Sequence, residues 1–315
     1  MRSKRTRKKL KSVLNKAIPL YLVVILIIES SAAVGLFEYY LMKRNFNNQI
    51  AALYQKTKSP EEFVQILKQQ VVPQQGYILS VKWNDIGKQL ISSGVIDKVK
   101  YAELFAQDSF AKEQMKYLNN PSGNHMMISE KNSRFMVNTL WALGLVNKNP
   151  ILSEGAMKTY GNKDPMAYAS TGGWNLGSKP TSQLYSSQEI IKLTPQQQEI
   201  VKKIAQNIYR PCCGNPTSFP DCNHGMAALG YIELAVKQGV SERQIYKDVL
   251  ALNSFWFPQQ YVELAAYLDK QGAKWNTVDA KKVLAAEYSS LQGMQKVHQQ
   301  VQNIPGFAAP GGCGA

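Results

Sequence analysis

Three of the four cysteines and one of the three histidines lie within the thirteen residues from Cys212 to His224. Thiolate sulfur and imidazole nitrogen are ligands that suit zinc and copper ions in proteins. The sequence therefore predicts a metal site in which Cys212, Cys213, Cys222 and His224 are the four ligands and the ion is zinc or copper. The fourth cysteine, Cys313, lies in the tail and is interpreted as a free or intermolecular thiol.

Two other roles for the same residues stay open. A disulfide from Cys222 to Cys212 or Cys213 would fasten the loop and leave His224 as a surface or capping group. Alternatively, Cys222 acts as the attacking redox thiol, and Cys212 or Cys213 resolves the mixed disulfide. A bridge between the two adjacent cysteines is disfavoured, because their Cα atoms are about 3.8 Å apart, short of the usual disulfide span. The metal site is the working hypothesis because it uses all four residues.

A loop is predicted between Ile208 and Asp221, and it must double back, so that its last cysteine can approach the first two. His224 lies two residues beyond Cys222, and two residues at that spacing on a helix point to nearly opposite faces. A shared site therefore requires the next helix to begin at or after Asn223, which is a good capping residue. The residues that exclude a helix from the loop are Pro211, Gly214, Pro216 and Pro220.

The stretch 209–253 contains Cys212-Cys213, a short loop with Asp221, and a helical run that ends in the sequence KQGVSERQI. This pattern resembles the thiol domain of the cytochrome c maturation proteins of the CcmH type. Proteins of that family are small, membrane-anchored, exported helical bundles that act on haem-binding thiols. The resemblance implies a thiol role for Cys212 and Cys213. The family motif is Cys-x-x-Cys, whereas here the two cysteines are adjacent, and Cys222 and His224 are additional.

The amino terminus is typical of a membrane anchor. Eight of the basic residues behind the net charge of +15 lie in residues 1–16, directly before the largely apolar run 18–41. A helix of about 20 apolar residues can cross a bilayer, and the flank richer in Lys and Arg stays in the cytoplasm. We therefore expect a single-pass plasma-membrane protein whose bulk lies outside the cytoplasm. The alternative is a cleavable signal peptide with its cleavage site at Ser31-Ala32-Ala33.

Charge and motifs also exclude several functions. About half of the net positive charge lies before the anchor, and no later basic cluster is interleaved with aromatic residues, so nucleic-acid binding is not expected. The sequence has neither a Gly-x-Ser-x-Gly elbow nor a His-Glu-x-x-His pair. No catalytic residue is indicated, and whether the chain is an enzyme stays open. The expected partners are the membrane, through the anchor, and another exported protein.

The exported part is predicted to be all-α, with about ten short helices. Helix starts are indicated where a capping residue precedes a proline, as at Ser59-Pro60 and Thr194-Pro195. The alternating segment Gly76–Trp83 could form one short strand, but no partner strand is evident. Helix ends are predicted at three glycines: Gly94, Gly239 and Gly272.

The aromatic segment Phe255-Trp256-Phe257-Pro258 is interpreted as a hydrophobic plug between helices rather than as a cover over the cysteine loop.

Composition also divides the chain into segments. The predicted segments are a basic cytoplasmic segment (1–17), a transmembrane anchor (18–41), a stalk (42–58), a helical N-terminal part (59–177), a loop (178–193), a helical part with the cysteine loop (194–302) and a flexible tail (303–315).

Overall fold

The computed structural model describes residues 59–160 and 164–304, together with the single positions Glu38, Leu41 and Arg44. The predicted basic segment, nearly all of the predicted anchor and stalk, and the tail beyond Ile304 lie outside the described residues. Among the helices that the structure describes, none is both long enough and apolar enough to cross a membrane. The anchor at 18–41 therefore stays a prediction from the sequence.

Most of the described chain is helical, as predicted. Up to the middle of the chain the helices are α1 (Pro60–Val71), α2 (Ile86–Ser93), α3 (Lys98–Leu104), α4 (Ser109–Gln114), α5 (Lys116–Asn119), α6 (Ser133–Val146), α7 (Pro150–Ser153), α8 (Ala156–Thr159), α9 (Ala169–Gly172) and α10 (Thr181–Leu184). The later helices are α11 (Pro195–Gln206), α12 (Asn223–Lys237), α13 (Glu242–Trp256), α14 (Pro258–Lys270), α15 (Ala280–Val283), α16 (Ala286–Ser289) and α17 (Leu291–Val301). Two 3-10 turns, Pro165–Ala167 and Trp275–Thr277, lie between them.

Local capping signals place the helix boundaries. The Ser59 hydroxyl accepts a hydrogen bond from the Glu62 amide (3.2 Å) at the start of α1. Thr194 and Gln197 form a reciprocal capping box at the start of α11. A glycine with positive φ, a conformation in which a side chain would be strained, follows each of three helices: Gly94 after α2, Gly239 after α12 and Gly272 after α14. These boundaries agree with the sequence-based expectations because each depends on residues close together in the chain.

A two-stranded antiparallel sheet accompanies the helices. Strand β1 (Tyr77–Asn84) pairs with β2 (Ser122–Ile128), with Tyr77 opposite Ile128 and an irregular register toward the other end. The strand expected at Gly76–Trp83 is present, and its partner is the segment that contains His125-Met126-Met127. The all-α expectation therefore holds only in the coarser sense that the fold is mostly helical. Sequence periodicity missed β2 because its inward side chains are confined to one end, at Met126 and Ile128.

Helix α12 is the centre of the fold, and every residue from His224 to Val236 is buried. It packs against α6 at a contact between Gly144 and Gly230, where a Cβ atom on either glycine would collide with the backbone of the other helix. The cysteine loop ends where α12 begins. The position of Cys222, which precedes the first residue of α12, is therefore set by this buried helix.

Candidate metal centre

The cysteine loop joins α11 to α12 and is tied to the rest of the protein through its backbone. Near its start, the Thr217 amide donates to the Ile208 carbonyl (2.8 Å), which closes the loop on itself. Further along, the Ser170 amide donates to the Asp221 carbonyl (3.2 Å), and the Leu291 amide donates to the Cys213 carbonyl (3.0 Å). Prolines prevent helix formation across the loop. The loop is thus held at both ends and by elements far away in the sequence.

Three sulfur atoms meet in this loop. The Sγ atoms of Cys212, Cys213 and Cys222 all lie within 4.8 Å of one another. All three residues are free thiols of intermediate exposure. The Cys212 and Cys222 sulfurs are 3.3 Å apart. Zinc with Zn–S bonds of about 2.3 Å in tetrahedral geometry places its sulfur ligands roughly 3.8 Å apart. The trio can therefore hold a metal ion after small side-chain shifts.

A buried arginine organises the loop around these sulfurs. The side chain of Arg210 is only 1% exposed. Its Nε donates to the Cys222 sulfur (3.1 Å), its Nη1 to the Asn215 carbonyl (3.0 Å) and its Nη2 to the Phe219 carbonyl (3.1 Å). The same Nη2 donates to Asp221 Oδ1 at 2.7 Å. One guanidinium thus connects the start of the loop, at Arg210, to its middle and end and to the Cys222 thiol.

Asp221 supplies the counter-charge for Arg210. Its other carboxylate oxygen, Oδ2, accepts a hydrogen bond from the Asn215 side-chain amide (2.7 Å). The Cys213 sulfur lies 3.7 Å from Asp221 Oδ1, so its S–H group can donate to the carboxylate. A carboxylate next to a sulfur disfavours the thiolate form, whereas a guanidinium favours it. The Cys213 sulfur thus has a carboxylate oxygen as a neighbour, whereas the Cys222 sulfur accepts a hydrogen bond from the guanidinium, and the charge of Arg210 lowers the pKa of both thiols.

The acidities of the three thiols differ accordingly. The hydrogen bonds that Cys212 and Cys213 make to Cys222 hold the pKa of Cys222 well below its ordinary value, against the effect of burial, and Arg210 lowers it further. Hydrogen bonds to Cys213 and Cys222 raise the pKa of Cys212. The hydrogen bond with Cys212 lowers the pKa of Cys213, but the bond with Cys222 and burial raise it to about 11. These shifts favour the thiolate form at Cys222 over Cys212 and Cys213.

The start of α12 also favours a thiolate at Cys222. Cys222 itself is the N-terminal capping residue, and its sulfur accepts a hydrogen bond from the Gly225 amide (3.4 Å). The amino terminus of a 15-residue helix presents partial positive charge to this sulfur. A Cβ atom at Gly225 would collide with the Arg210 guanidinium, so glycine is required for the two to pack. Asn223, the expected cap, is instead the first residue inside the helix.

His224 lies outside the three-sulfur group, although the sequence analysis assigned it as the fourth ligand. Its side chain is buried, and its ring packs against Phe257 (centroids 4.4 Å apart) and Trp256 (5.6 Å). Its Nδ1 atom has no hydrogen-bond partner among the described residues. Burial lowers the pKa of His224 to about 4, which keeps the ring neutral. Because α12 begins at Asn223, His224 is already helical and its ring is directed into the core.

The aromatic segment at the junction of α13 and α14 thus contacts His224 through Trp256 and Phe257. The residues that sequence reasoning missed are Arg210 and the acceptor groups around it. The available signal was an arginine directly before Pro211 in a loop with a single carboxylate, Asp221. Such an arginine needs a partner once it is buried. Its burial, however, is a property of the tertiary structure.

A separate cleft of about 600 Å³ lies beside α13 and is lined by charged groups, including Glu242, Arg243 and Lys281. The Glu242 carboxylate is already paired with Lys203 (2.9 Å) and Lys281 (3.3 Å). None of the three cysteines that the structure describes lines this cleft. This cleft is therefore separate from the cysteine loop.

Comparison with known proteins finds no matching family model, no matching curated protein and no matching solved structure. The resemblance of residues 209–253 to CcmH-type proteins therefore stays a prediction.

Proposed function

We propose that this protein binds a soft metal ion, zinc or copper(I), through the sulfurs of Cys212, Cys213 and Cys222. The observation that carries the proposal is the convergence of the three Sγ atoms within 4.8 Å of one another. Thiolates are the preferred ligands of both ions. In this form the site uses three of the four ligands expected from the sequence and excludes His224.

The charges around the trio support a metal ion. Arg210 and Asp221 neutralise each other through their 2.7 Å ion pair. Three thiolates would then leave three uncompensated negative charges in a half-buried loop, which is costly. A cation bound between the sulfurs supplies the missing positive charge and removes the thiol protons. The hydrogen bond from Arg210 Nε to the Cys222 sulfur stabilises the remaining negative charge on the complex.

Three protein ligands leave one coordination position of zinc open. Structural zinc sites are closed by four protein ligands, whereas an open position is occupied by water or another exchangeable ligand. We infer that the ion is exchangeable, and that a donor or acceptor protein can supply the fourth ligand. The partner expected from the sequence analysis, another exported protein, would fill this role.

The cellular place of the site is part of the proposal. Eight cations before the apolar run 18–41 support an anchor whose amino terminus is cytoplasmic. The cysteine loop would then act on the outer side of the plasma membrane. There it would meet metal ions before they enter the cell or after they leave it.

The test is the metal content of the full chain, purified under reducing conditions and loaded with zinc or copper(I). Elemental analysis after desalting should find about one ion per chain. Each of the variants Cys212→Ser, Cys213→Ser and Cys222→Ser should lose stoichiometric metal. The matched control is Cys313→Ser, which changes the one cysteine outside the loop and should retain the ion.

Two results would count against metal binding. A chain that is folded and fully reduced but contains no metal after loading would refute it. Retention of the ion by all three loop variants would show that the metal is bound elsewhere. Far-ultraviolet circular dichroism on each variant separates loss of ligands from loss of folding.

A second candidate function is thiol–disulfide exchange with another exported protein. It is favoured by the contact of Cys222 with Arg210 and by the 3.3 Å separation of the Cys212 and Cys222 sulfurs. This function requires catalytic turnover of a protein disulfide by the metal-free chain. Reduction of a disulfide-bonded test protein with a thiol reductant as electron source measures it. Turnover that depends on Cys222 would favour this candidate over metal binding.

A further inference from the structure

The separation of the Cys212 and Cys222 sulfurs suits two different bonded states. At 3.3 Å, the two atoms are closer than the roughly 3.8 Å of sulfurs on a tetrahedral zinc ion. They are farther apart than the about 2.05 Å of a disulfide. The pair lies between the two states and needs only a small shift to reach either. The same sulfurs cannot do both at once.

We infer that Cys212 and Cys222 join in a disulfide when the loop is oxidised, and that this bond and metal binding exclude each other, so that oxidation releases the ion. This inference rests on the proposed function, whose site it regulates. The oxidant is a low-molecular-weight disulfide. The loop is thereby a redox-controlled metal site.

The geometry selects this pair among the three sulfurs. Cys212 and Cys213 are adjacent, and their Cα atoms are too close for an unstrained bridge. Cys213 is directed toward oxygen atoms, with its sulfur 3.7 Å from Asp221 Oδ1 and 3.8 Å from the Asn215 carbonyl. Cys222 is held at the start of α12 by its hydrogen bonds with Arg210 and Gly225. Cys212 can approach it because residues 211–221 form a loop rather than a helix.

The exchange is balanced in electrons and atoms. The Cys222 sulfur attacks one sulfur of the small disulfide, forms a mixed disulfide and expels the first small thiolate. The Cys212 sulfur then attacks the Cys222 sulfur and expels the second thiolate. The protein loses two electrons, the small disulfide gains them, and the two small thiolates take up protons from the thiols or from solvent. The metal ion leaves with its oxidation state unchanged, because Cys213 alone cannot retain it.

The experiment uses the full chain with Cys313→Ser, so that the tail thiol cannot take part. The reduced protein is loaded with zinc, treated with oxidised glutathione and followed with a chromogenic zinc indicator. Release of the bound zinc, about one ion per chain, is expected together with one disulfide. Peptide mapping without reduction should place that disulfide between Cys212 and Cys222. Dithiothreitol should restore zinc binding.

A second arm omits the metal. The metal-free chain is oxidised first and then offered zinc, and it should bind none. Adding Cys213→Ser should leave the disulfide in place, whereas adding Cys212→Ser should abolish it. The inference is overturned if the mapped disulfide involves Cys213, if no intramolecular disulfide forms, or if zinc stays bound to the oxidised chain. If the reduced chain holds no zinc, the proposed function fails, and the metal-free arm still reports whether the two sulfurs pair.

Discussion

The Nε atom of Arg210 donates a hydrogen bond to the Cys222 sulfur across 3.1 Å in a loop that buries the guanidinium almost completely. Burial lowers the pKa of Arg210, but the Cys222, Cys213 and Cys212 sulfurs together raise it by more, so the side chain stays charged. The charge of the arginine and the thiolate of the cysteine therefore stabilise each other. The same contact therefore stabilises both the folded loop and the thiolate form of Cys222.

Replacement of Arg210 should lower both the stability of the fold and the affinity for the metal ion. Arg210→Met leaves Asp221 without its cation, and breaking such a pair costs about 3 kcal/mol, at the low end for buried pairs because the Asp221 side chain is 20% exposed. Loss of the hydrogen bond to the metal-ligating sulfur should lower metal affinity by about 10- to 100-fold. Urea denaturation and competition with a zinc chelator measure the two effects.

The control for this variant is Lys203→Met, which breaks an exposed pair with Glu242. It should change the free energy of unfolding by less than about 1 kcal/mol and leave metal affinity unchanged. Arg210→Lys keeps the charge but not the planar fork of donors, so intermediate effects are expected. Equal behaviour of Arg210→Met and Lys203→Met would contradict the organising role of Arg210.

Gly225→Ala tests the packing of the guanidinium on α12. The added methyl group would collide with Arg210, and overpacking of this kind costs about 1–3 kcal/mol. Metal affinity should fall as well, because Arg210 must move away from Cys222. Gly123→Ala is the matched control, since no atom of the described residues lies within 4 Å of the Cβ position there. A neutral Gly225→Ala variant would show that the guanidinium is free to shift.

His224→Phe separates a metal ligand from a core residue. The ring packs against Phe257 and Trp256, and its Nδ1 is buried without a partner among the described residues. An apolar ring of similar shape removes that unpaired group, so the free energy of unfolding should stay the same or rise. Metal content should be unchanged. Loss of the ion in a folded His224→Phe chain would restore the four-ligand site expected from the sequence.

Glu233, also on α12, should make the stability of the fold depend on pH. Its carboxylate accepts hydrogen bonds from the side chains of Asn147 and Asn149 and is fully buried. Burial raises the pKa of Glu233 to about 8 from 4.5. Between those values the folded state binds a proton that the unfolded state has lost. This group therefore contributes less stability as the pH rises from about 4.5 to about 8, by at most about 1.4 kcal/mol per pH unit.

Denaturant unfolding at several pH values between 5 and 8 checks this slope. In Glu233→Gln the group no longer titrates, so the difference from the unmodified chain should change steadily with pH in favour of the variant. Glu130→Gln is the control, because the Glu130 side chain is about half exposed in its pair with Lys68. A difference that does not vary with pH would mean that Glu233 is ionised in the folded protein throughout this range.

The sequence alone was sufficient for features that depend on neighbouring residues. Ser59, Thr194 and the glycines after the helices set the element boundaries, because capping and positive φ are local effects. The proline-rich loop between α11 and α12 was likewise predictable, as was the return of Cys222 toward Cys212. Because the prolines exclude a helix from this short loop, the loop has few ways to connect α11 to α12.

Only the tertiary structure decided how the site is completed. β2 became the partner of β1 through pairing of residues that are far apart in the chain, from Asn84 with Ser122 to Tyr77 with Ile128, and no local pattern specifies such a contact. His224 was directed into the core because Phe257 and Trp256 occupy that side of α12. Arg210 organises the loop because it is buried. A guanidinium removed from water needs hydrogen-bond acceptors from the surrounding protein. Ligand types can be read from a sequence, but which of them share a point in space depends on packing between distant elements.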